Sequence, residues 1–292
     1  PTSTSIKTLK SLLATFNKKK IARSWSLIGP YGSGKSSFGI FLNALLQPSS
    51  SKQFKLAITK IAELDDALAK AFHKKLNKSE GCINILLTGS YDGLTKKLFD
   101  SICMGAAESS LEKKFKNKLL NYHKDHRKDP QSGNVLEAIS MLQVFLQESK
   151  FNFKGITITI DELGKHVEYA GSNQRDGDIY ILQELAEHCV KESKIPVFFN
   201  VMLHQAIEFY AKDLDKETKN EWRKIQGRFE EISFIEGPEQ SMRIIAKALN
   251  HNLNKNQIAN IKKDLKIPTQ ALLDIKVFPN ITKIREGVNF FS

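Results

Sequence analysis

Cysteine is scarce in this 292-residue chain: Cys82, Cys103 and Cys189 are three in number and far apart. That count and spacing fit neither a zinc site nor a disulfide framework and predict buried, reduced thiols in a cytoplasmic protein. No apolar run approaches the ~20 residues of a membrane span, so no membrane partner is expected. Pro1-Thr2-Ser3-Thr4-Ser5 lacks the basic, apolar and small-residue regions of a secretory leader. Internal repeats and low-complexity linkers are also missing, which excludes solenoid and tethered-array architectures. The end at Ser292, just past the apolar Val288-Asn289-Phe290-Phe291, together with the start at Pro1, suits a fragment of a longer chain.

Acidic residues are in short supply: 32 Asp and Glu face 44 Lys and Arg, a formal net charge of +12. The balance points to polyanions, nucleic acid first among them, or equally to a lysine-rich solvated surface. Hydrophobic content of 41% and charged content of 26% are those of an ordinary globular protein, with room for one large core and a small accessory region.

The most informative stretch is Gly29-Pro30-Tyr31-Gly32-Ser33-Gly34-Lys35-Ser36. It fits G-x-x-x-x-G-K-[ST], the phosphate-binding loop, and it stands in the context that motif needs. A strand-like Ser24-Trp25-Ser26-Leu27-Ile28 precedes it, and a helix-like run from Ser37 to Leu46 follows. Glycines let successive N–H groups turn inward toward phosphate oxygens, at a helix N-terminus whose dipole favours anions. Residues 29–37 are therefore the expected ATP-binding set, Ser37 included. Lys35 would reach the β- and γ-phosphates, and Ser36 would ligate Mg²⁺.

A second motif is Gly155-Ile156-Thr157-Ile158-Thr159-Ile160-Asp161-Glu162, a β-branched strand closing on two carboxylates. Alone it is a weak signal; downstream of a phosphate loop it is a strong one. Asp161 would bind Mg²⁺ through water, and Glu162 would orient or deprotonate the attacking water. Lys194–Met202 reads as another buried strand, ending in Leu203-His204-Gln205. A polar group there would sense the γ-phosphate: His204 first, then Asn200 and Gln205. A structural histidine in a turn is the competing reading.

The rest of the chain is mostly helical. Ile6, Leu9, Leu12, Leu13 and Phe16 recur at helical spacing, and the basic Lys18-Lys19-Lys20 leads into the first strand. One helix is expected from Phe54 to Phe72, a strand over Cys82–Leu87, one helix from Leu94 to about Tyr122, and another over Val135–Gln147. Lys113-Lys114-Phe115-Lys116-Asn117-Lys118, continuing to Lys124, Arg127 and Lys128, is the densest basic patch. It is either a phosphate-backbone contact or a solvated helix end. His123 and His126 lie within it, with no partner at convincing metal-ligand spacing. Gly171–Asp178 reads as a polar loop and Ile179–Val190 as a helix. Asn220–Gly227 forms a helix end before Arg228-Phe229 and a short strand over Ile232–Phe234. Pro238 marks a break, with helices over Glu239–Asn252 and Asn256–Leu265 beyond it.

The order of these parts, with GPYGSGKS, ITITIDE, the polar strand end at His204 and the GRF at Gly227–Phe229, resembles the AAA+ ATPases, in their initiator-like and STAND-like branch. The resemblance covers Ser5 to about Asn252. It implies an α/β fold, a parallel five-stranded sheet flanked by helices, over residues 1–237, and a small C-terminal helical lid over 238–292. It further implies a homo-oligomer in which Arg228 acts in trans as an arginine finger, with Arg223 as the alternative and a surface salt bridge as the competing explanation. Glycine replaces the family's serine before Arg228, and only Arg243 stands where a second sensor arginine belongs. The longer text DELGKHVEYA, DGDIYILQELAEH and EWRKIQGRFEEISF is similar to the ATPase module of large bacterial anti-phage defence proteins.

The expected function is thus Mg²⁺-dependent ATP binding and hydrolysis coupled to work on nucleic acid. The alternative is a slow nucleotide-dependent switch that recruits an effector protein. A small-molecule kinase is third, since such enzymes usually lack adjacent Asp-Glu and a downstream Arg-Phe.

Overall fold

The computed structural model describes residues 3–17, 23–109, 111–173, 179–210, 216–235 and 254–274. The chain divides into two compact units, Ser3–Ile235 and Glu236–Ser292.

The first unit is built on five strands: β1 (Ser24–Ile28), β2 (Cys82–Thr88), β3 (Gly155–Asp161), β4 (Val197–Leu203) and β5 (Glu230–Ser233). They stand in the order β2-β3-β4-β1-β5, and every neighbouring pair is parallel. The expected parallel five-stranded sheet is therefore the observed one. All seven residues of β4 are buried, as are the first six of β3. Helices shield each side of a parallel sheet, so successive residues are buried on both faces, Thr157, Thr159 and Asn200 among them. The edge strand β5 exposes Glu230 and Glu231, charges that discourage another chain from pairing with an open edge.

Alternate side chains feed two cores. On one face Trp25, Leu27, Phe198 and Met202 pack with α1 (Ser3–Asn17), α2 (Lys35–Leu45), α3 (Lys52–Ala62) and α4 (Asp66–Leu76). On the other, Ile156, Ile158, Ile160, Phe199 and Val201 pack with α5 (Leu94–Glu108), α6 (Lys113–His126), α7 (Ser132–Glu148), α8 (Gly164–Ser172), α9 (Tyr180–Val190) and α11 (Lys216–Gln226). A short α10 (Ile207–Tyr210) follows β4.

Three sequence expectations need correction. The helix over 54–72 is two helices, because Asp65 caps α4 by accepting the Leu68 N–H at 2.9 Å, the role that favours Asp at a helix start. The helix over 94–122 is also two: Ser109 ends α5 in an extended conformation, its hydroxyl bonded to the Ala106 carbonyl. The polar loop expected from Gly171 begins later, since α8 runs on through Ser172.

Among the described residues of the second unit are two helices, α12 (Lys255–Asp264) and α13 (Lys266–Asp274). The helix expected over 239–252, Arg243, Pro238 and the Lys18-Lys19-Lys20 connection lie outside the described residues.

Candidate functional site

The site forms where β1, β3 and β4 end. The loop after Ile28 is anchored by Gly29 N–H to the Leu203 carbonyl at 3.1 Å. It then turns through Gly32 at φ +77° and Gly34 at φ +90°, a backbone region that residues with a Cβ rarely adopt. Gly34 is the N-cap of α2 and supplies no side-chain cap. The first N–H groups of α2 therefore have no partner from the helix and point out of its positive end.

Lys35, on the first turn of α2, is buried, with 9% of its surface exposed. Its ammonium donates to the carbonyls of Gly29 at 2.7 Å and Pro30 at 2.9 Å, and to Ser33 Oγ at 3.3 Å. Burial pushes its pKa down, and the nearby Asp161 charge partly offsets that. Ser36 and Ser37, the next residues, are exposed.

The acidic pair arrives from β3. Because β4 separates β3 from β1, Asp161 stands about 10 Å across the sheet from the end of β1, at ~4.8 Å per strand. Asp161 Oδ1 accepts the Glu162 N–H at 2.9 Å. Glu162 has φ +54°, a strained value for a residue with a side chain. The turn is crowded as well: Gly89 N–H donates to the Asp161 carbonyl at 2.7 Å. A Cβ on Gly89 would collide with the Glu162 carbonyl oxygen. Glu162 Oε2 meets Lys165 Nζ at 2.6 Å.

His204 follows the last residue of β4, between the phosphate loop and the acidic pair. Its ring stacks on Tyr31 with centroids 5.2 Å apart, and the Tyr210 hydroxyl lies 2.9 Å from its Nδ1. Burial raises the pKa of Tyr210, so it stays a neutral phenol.

These groups line one cleft of about 290 Å³ that holds Tyr31, Gly32, Gly34, Lys35, Ser36, Ser37, Asp161, Glu162 and His204. Gly29, Pro30 and Ser33 touch it through their contacts with Lys35. Asn200, in contrast, is buried within β4.

Arg228 is elsewhere. It precedes β5, whose first residue Glu230 pairs with Trp25 near the start of β1. It therefore stands at the opposite end of the sheet from the loop that leaves Ile28. Its guanidinium pairs with Glu187 at 3.0 Å.

Besides Tyr91, which lines the cleft from the loop after β2, sequence reasoning missed three contributors. Lys165 and Glu168 lie in α8 and line the cleft with Tyr91, whose hydroxyl donates to Glu168 Oε2 at 2.8 Å. The third is His166, which is 1% exposed. Its Nε2 accepts the Ser90 N–H at 3.4 Å, and its Nδ1–H donates to the Asp92 carbonyl at 2.7 Å. It clamps the loop after β2 against the start of α8. Reading DELGKH as a strand end followed by a helix would have put Lys165 one turn beyond Glu162.

Ser36 Oγ and Asp161 Oδ2 make no hydrogen bond with a described residue. Both are hard oxygen donors in one cleft, and so few protein ligands suit Mg²⁺, which keeps waters and takes phosphate oxygens. Ser36 and Asp161 thus fit the cation they were expected to hold.

No protein-family model matches the chain, and no curated protein matches it. Among solved structures it is similar to the ORC2 protein of Aeropyrum pernix, described in ADPNP–ADP complexes. Identity is 9% and the TM-score 0.45, over 98% of this chain and 66% of that one. The chain thus spans just under two thirds of that protein's length. No helix among the described residues is long and apolar enough to cross a membrane.

Proposed function

We propose that the cleft binds ATP with Mg²⁺ and hydrolyses it, in the manner of an AAA+ ATPase. One observation carries the reading. The glycine-shaped loop with Lys35 and the strand end with Asp161 and Glu162 face one cleft, although Lys35 and Asp161 stand 126 positions apart in sequence.

In this reading the N–H groups at the start of α2 bind phosphate oxygens, and Lys35 leaves the loop carbonyls for the β- and γ-phosphates. Ser36 and Asp161 hold Mg²⁺, which when bound neutralises phosphate charge. Glu162 accepts the proton of the attacking water. His204, stacked on Tyr31, reports γ-phosphate occupancy to α10 through Tyr210. Arg228 stands far from its own cleft, which supports a role in the cleft of a neighbouring copy and therefore a homo-oligomer.

The nucleic-acid part of the proposal rests on α6 and the turn after it. Lys113, Lys114, Lys118, Lys124 and Lys128 are exposed and form no salt bridge with a described residue. A cluster of uncompensated cations suits phosphate backbones. A cytoplasmic setting in bacterial anti-phage defence rests on the likeness of the longer sequence text. The switch alternative draws support from the Glu162–Lys165 pair, which ties up the base.

Phosphate release and nucleotide affinity, measured with and without double-stranded DNA, test the proposal. Lys35→Ala should weaken ATP binding at least tenfold, the scale of a lost charged hydrogen bond. Glu162→Gln should keep ATP binding, at wild-type affinity or tighter, and lose turnover. Wild-type ATP affinity in Lys35→Ala would remove the phosphate-loop assignment. Slow release that ignores DNA would favour the switch that recruits an effector.

A further inference from the structure

Two cations line the cleft, and they are held very differently. Lys35 is buried and rests on the loop that carries it, through two backbone carbonyls. Lys165 has its ion pair with Glu162, the proposed base, at 2.6 Å, and the two side chains are each 39% exposed. An ion pair so open to water contributes little and exchanges readily. A γ-phosphate carries more charge than a carboxylate and offers several acceptor oxygens, so it competes well for the ammonium. Lys165 sits on the first turn of α8, and the flexible stem of a lysine lets its charge move within the cleft. The hydrogen bond to Glu162 raises its pKa, so it is a cation at neutral pH.

We propose that Lys165 is a catalytic cation acting in cis: it rests on Glu162 and moves to the γ-phosphate of bound ATP, freeing Glu162 to act as base. This rests on the ATPase reading of the cleft. The Glu162 oxygen that accepts the Lys165 ammonium at 2.6 Å is not open to the attacking water. Arrival of the γ-phosphate draws the ammonium away and opens that oxygen to the water when substrate is present. The water oxygen then bonds to the γ-phosphorus while the bond from that phosphorus to the β,γ-bridging oxygen breaks. ADP leaves with the bond's electron pair, Glu162 takes the water proton, and Lys165 keeps its own proton throughout. Once phosphate departs, Lys165 returns to Glu162, and ADP alone does not activate the base. The cleft thereby has a charge stabiliser of its own, at the opposite end of the sheet from Arg228.

The test compares affinity for the non-hydrolysable β,γ-imido analogue of ATP with affinity for ADP. It uses the full chain as wild type, Lys165→Met, Lys165→Arg, Glu162→Gln and the Glu162→Gln/Lys165→Met double variant. Lys165→Met should bind the analogue about tenfold more weakly with ADP affinity unchanged, and its phosphate release should fall about 10²-fold or more. Lys165→Arg should keep most of the preference for the analogue. Glu162→Gln, which releases the lysine, should bind the analogue more tightly than wild type, and adding Lys165→Met should erase that gain. An unchanged ratio of the two affinities in Lys165→Met, or an equal loss for both nucleotides, would reduce Lys165 to a structural ion pair. Wild-type protein that binds neither nucleotide would instead overturn the ATPase reading itself.

Discussion

The turn after β1 and the turn after β3 both place backbone in the left-handed region, and only the first uses glycine to do so. Gly32 and Gly34 take φ values of +77° and +90°, with open space where a Cβ would stand. The phosphate loop is thus roomy at its two left-handed glycines, although a Cβ on its first glycine, Gly29, would meet the Phe234 carbonyl oxygen. In the acidic turn the positive φ falls on Glu162, and the glycine lies across from it, at Gly89, where the space is filled by the Glu162 carbonyl. Gly32 and Gly34 serve conformation, whereas Gly89 serves a close approach to the residue that takes the positive φ. Strain of this kind, on the order of 1–3 kcal/mol, persists only where surrounding structure imposes it. Here the imposing contacts are the Gly89 N–H on the Asp161 carbonyl and the Leu163 N–H on the Met202 carbonyl at 3.1 Å. The difference teaches that the conformation of Glu162 is imposed by its neighbours, whereas the two left-handed residues of the phosphate loop are permitted by their own identity as glycine.

Gly89→Ala breaks the comparison most severely. The added methyl meets backbone, which cannot rotate away, so a loss of about 3 kcal/mol or more is expected, at the upper end of overpacking costs. Thermal or denaturant unfolding would show it. A loss under 1 kcal/mol would mean that the two turns separate freely and that Glu162 is not held from across the sheet.

A smaller effect sharpens the comparison at Glu162 itself. Glu162→Gly and Glu162→Ala both delete the carboxylate and the pair with Lys165, so their difference isolates the backbone. The glycine variant should be more stable by about 1 kcal/mol, the cost of a left-handed residue with a Cβ. Equal stabilities in urea would show that the turn relaxes out of positive φ when the side chain is cut back.

The same contrast decides what could be read in the sequence. The phosphate loop was legible because its signals are local: glycines at fixed spacing, Lys35 and Ser36 after them, a strand before and a helix after. Asp161 and Glu162 were legible as the end of a β-branched strand. The approach of Gly89 to Glu162 was not, because it joins residues from separate strands and depends on the β2–β3 register, Thr88 against Asp161. Strand order was hidden for the same reason. That β4 would stand between β1 and β3, bringing His204 between the two motifs, is a non-local pairing that no residue spacing encodes. The break at Asp65 was masked by apolar residues that keep helical spacing on both sides of the cap. Lys165 was overlooked because its meaning depends on α8 starting at Gly164, immediately after the strained residue. Of β5 only the vicinity could be read, since four residues, mostly exposed, leave little pattern.

The smallest expected effect comes from the clamp on the acidic turn, and it depends on pH. His166, which braces the loop carrying Gly89, is buried and neutral, and burial pushes its pKa below the ordinary 6.5. A histidine depressed in the folded state binds its proton first in the unfolded chain. Its contribution is therefore whole above pH 6.5 and is lost as the pH falls through the folded value. Protonation would also put a hydrogen on Nε2, where the Ser90 N–H now donates, and force the two donors apart. His188 is depressed by burial too, so the wild-type acid limb contains both. Unfolding curves taken from pH 7.5 down to 5 should show stability declining below 6.5, and His166→Gln, which cannot take up that proton, should flatten part of the decline while leaving the His188 part. An unchanged limb in His166→Gln would show that the loop after β2 holds Gly89 against Glu162 without the histidine.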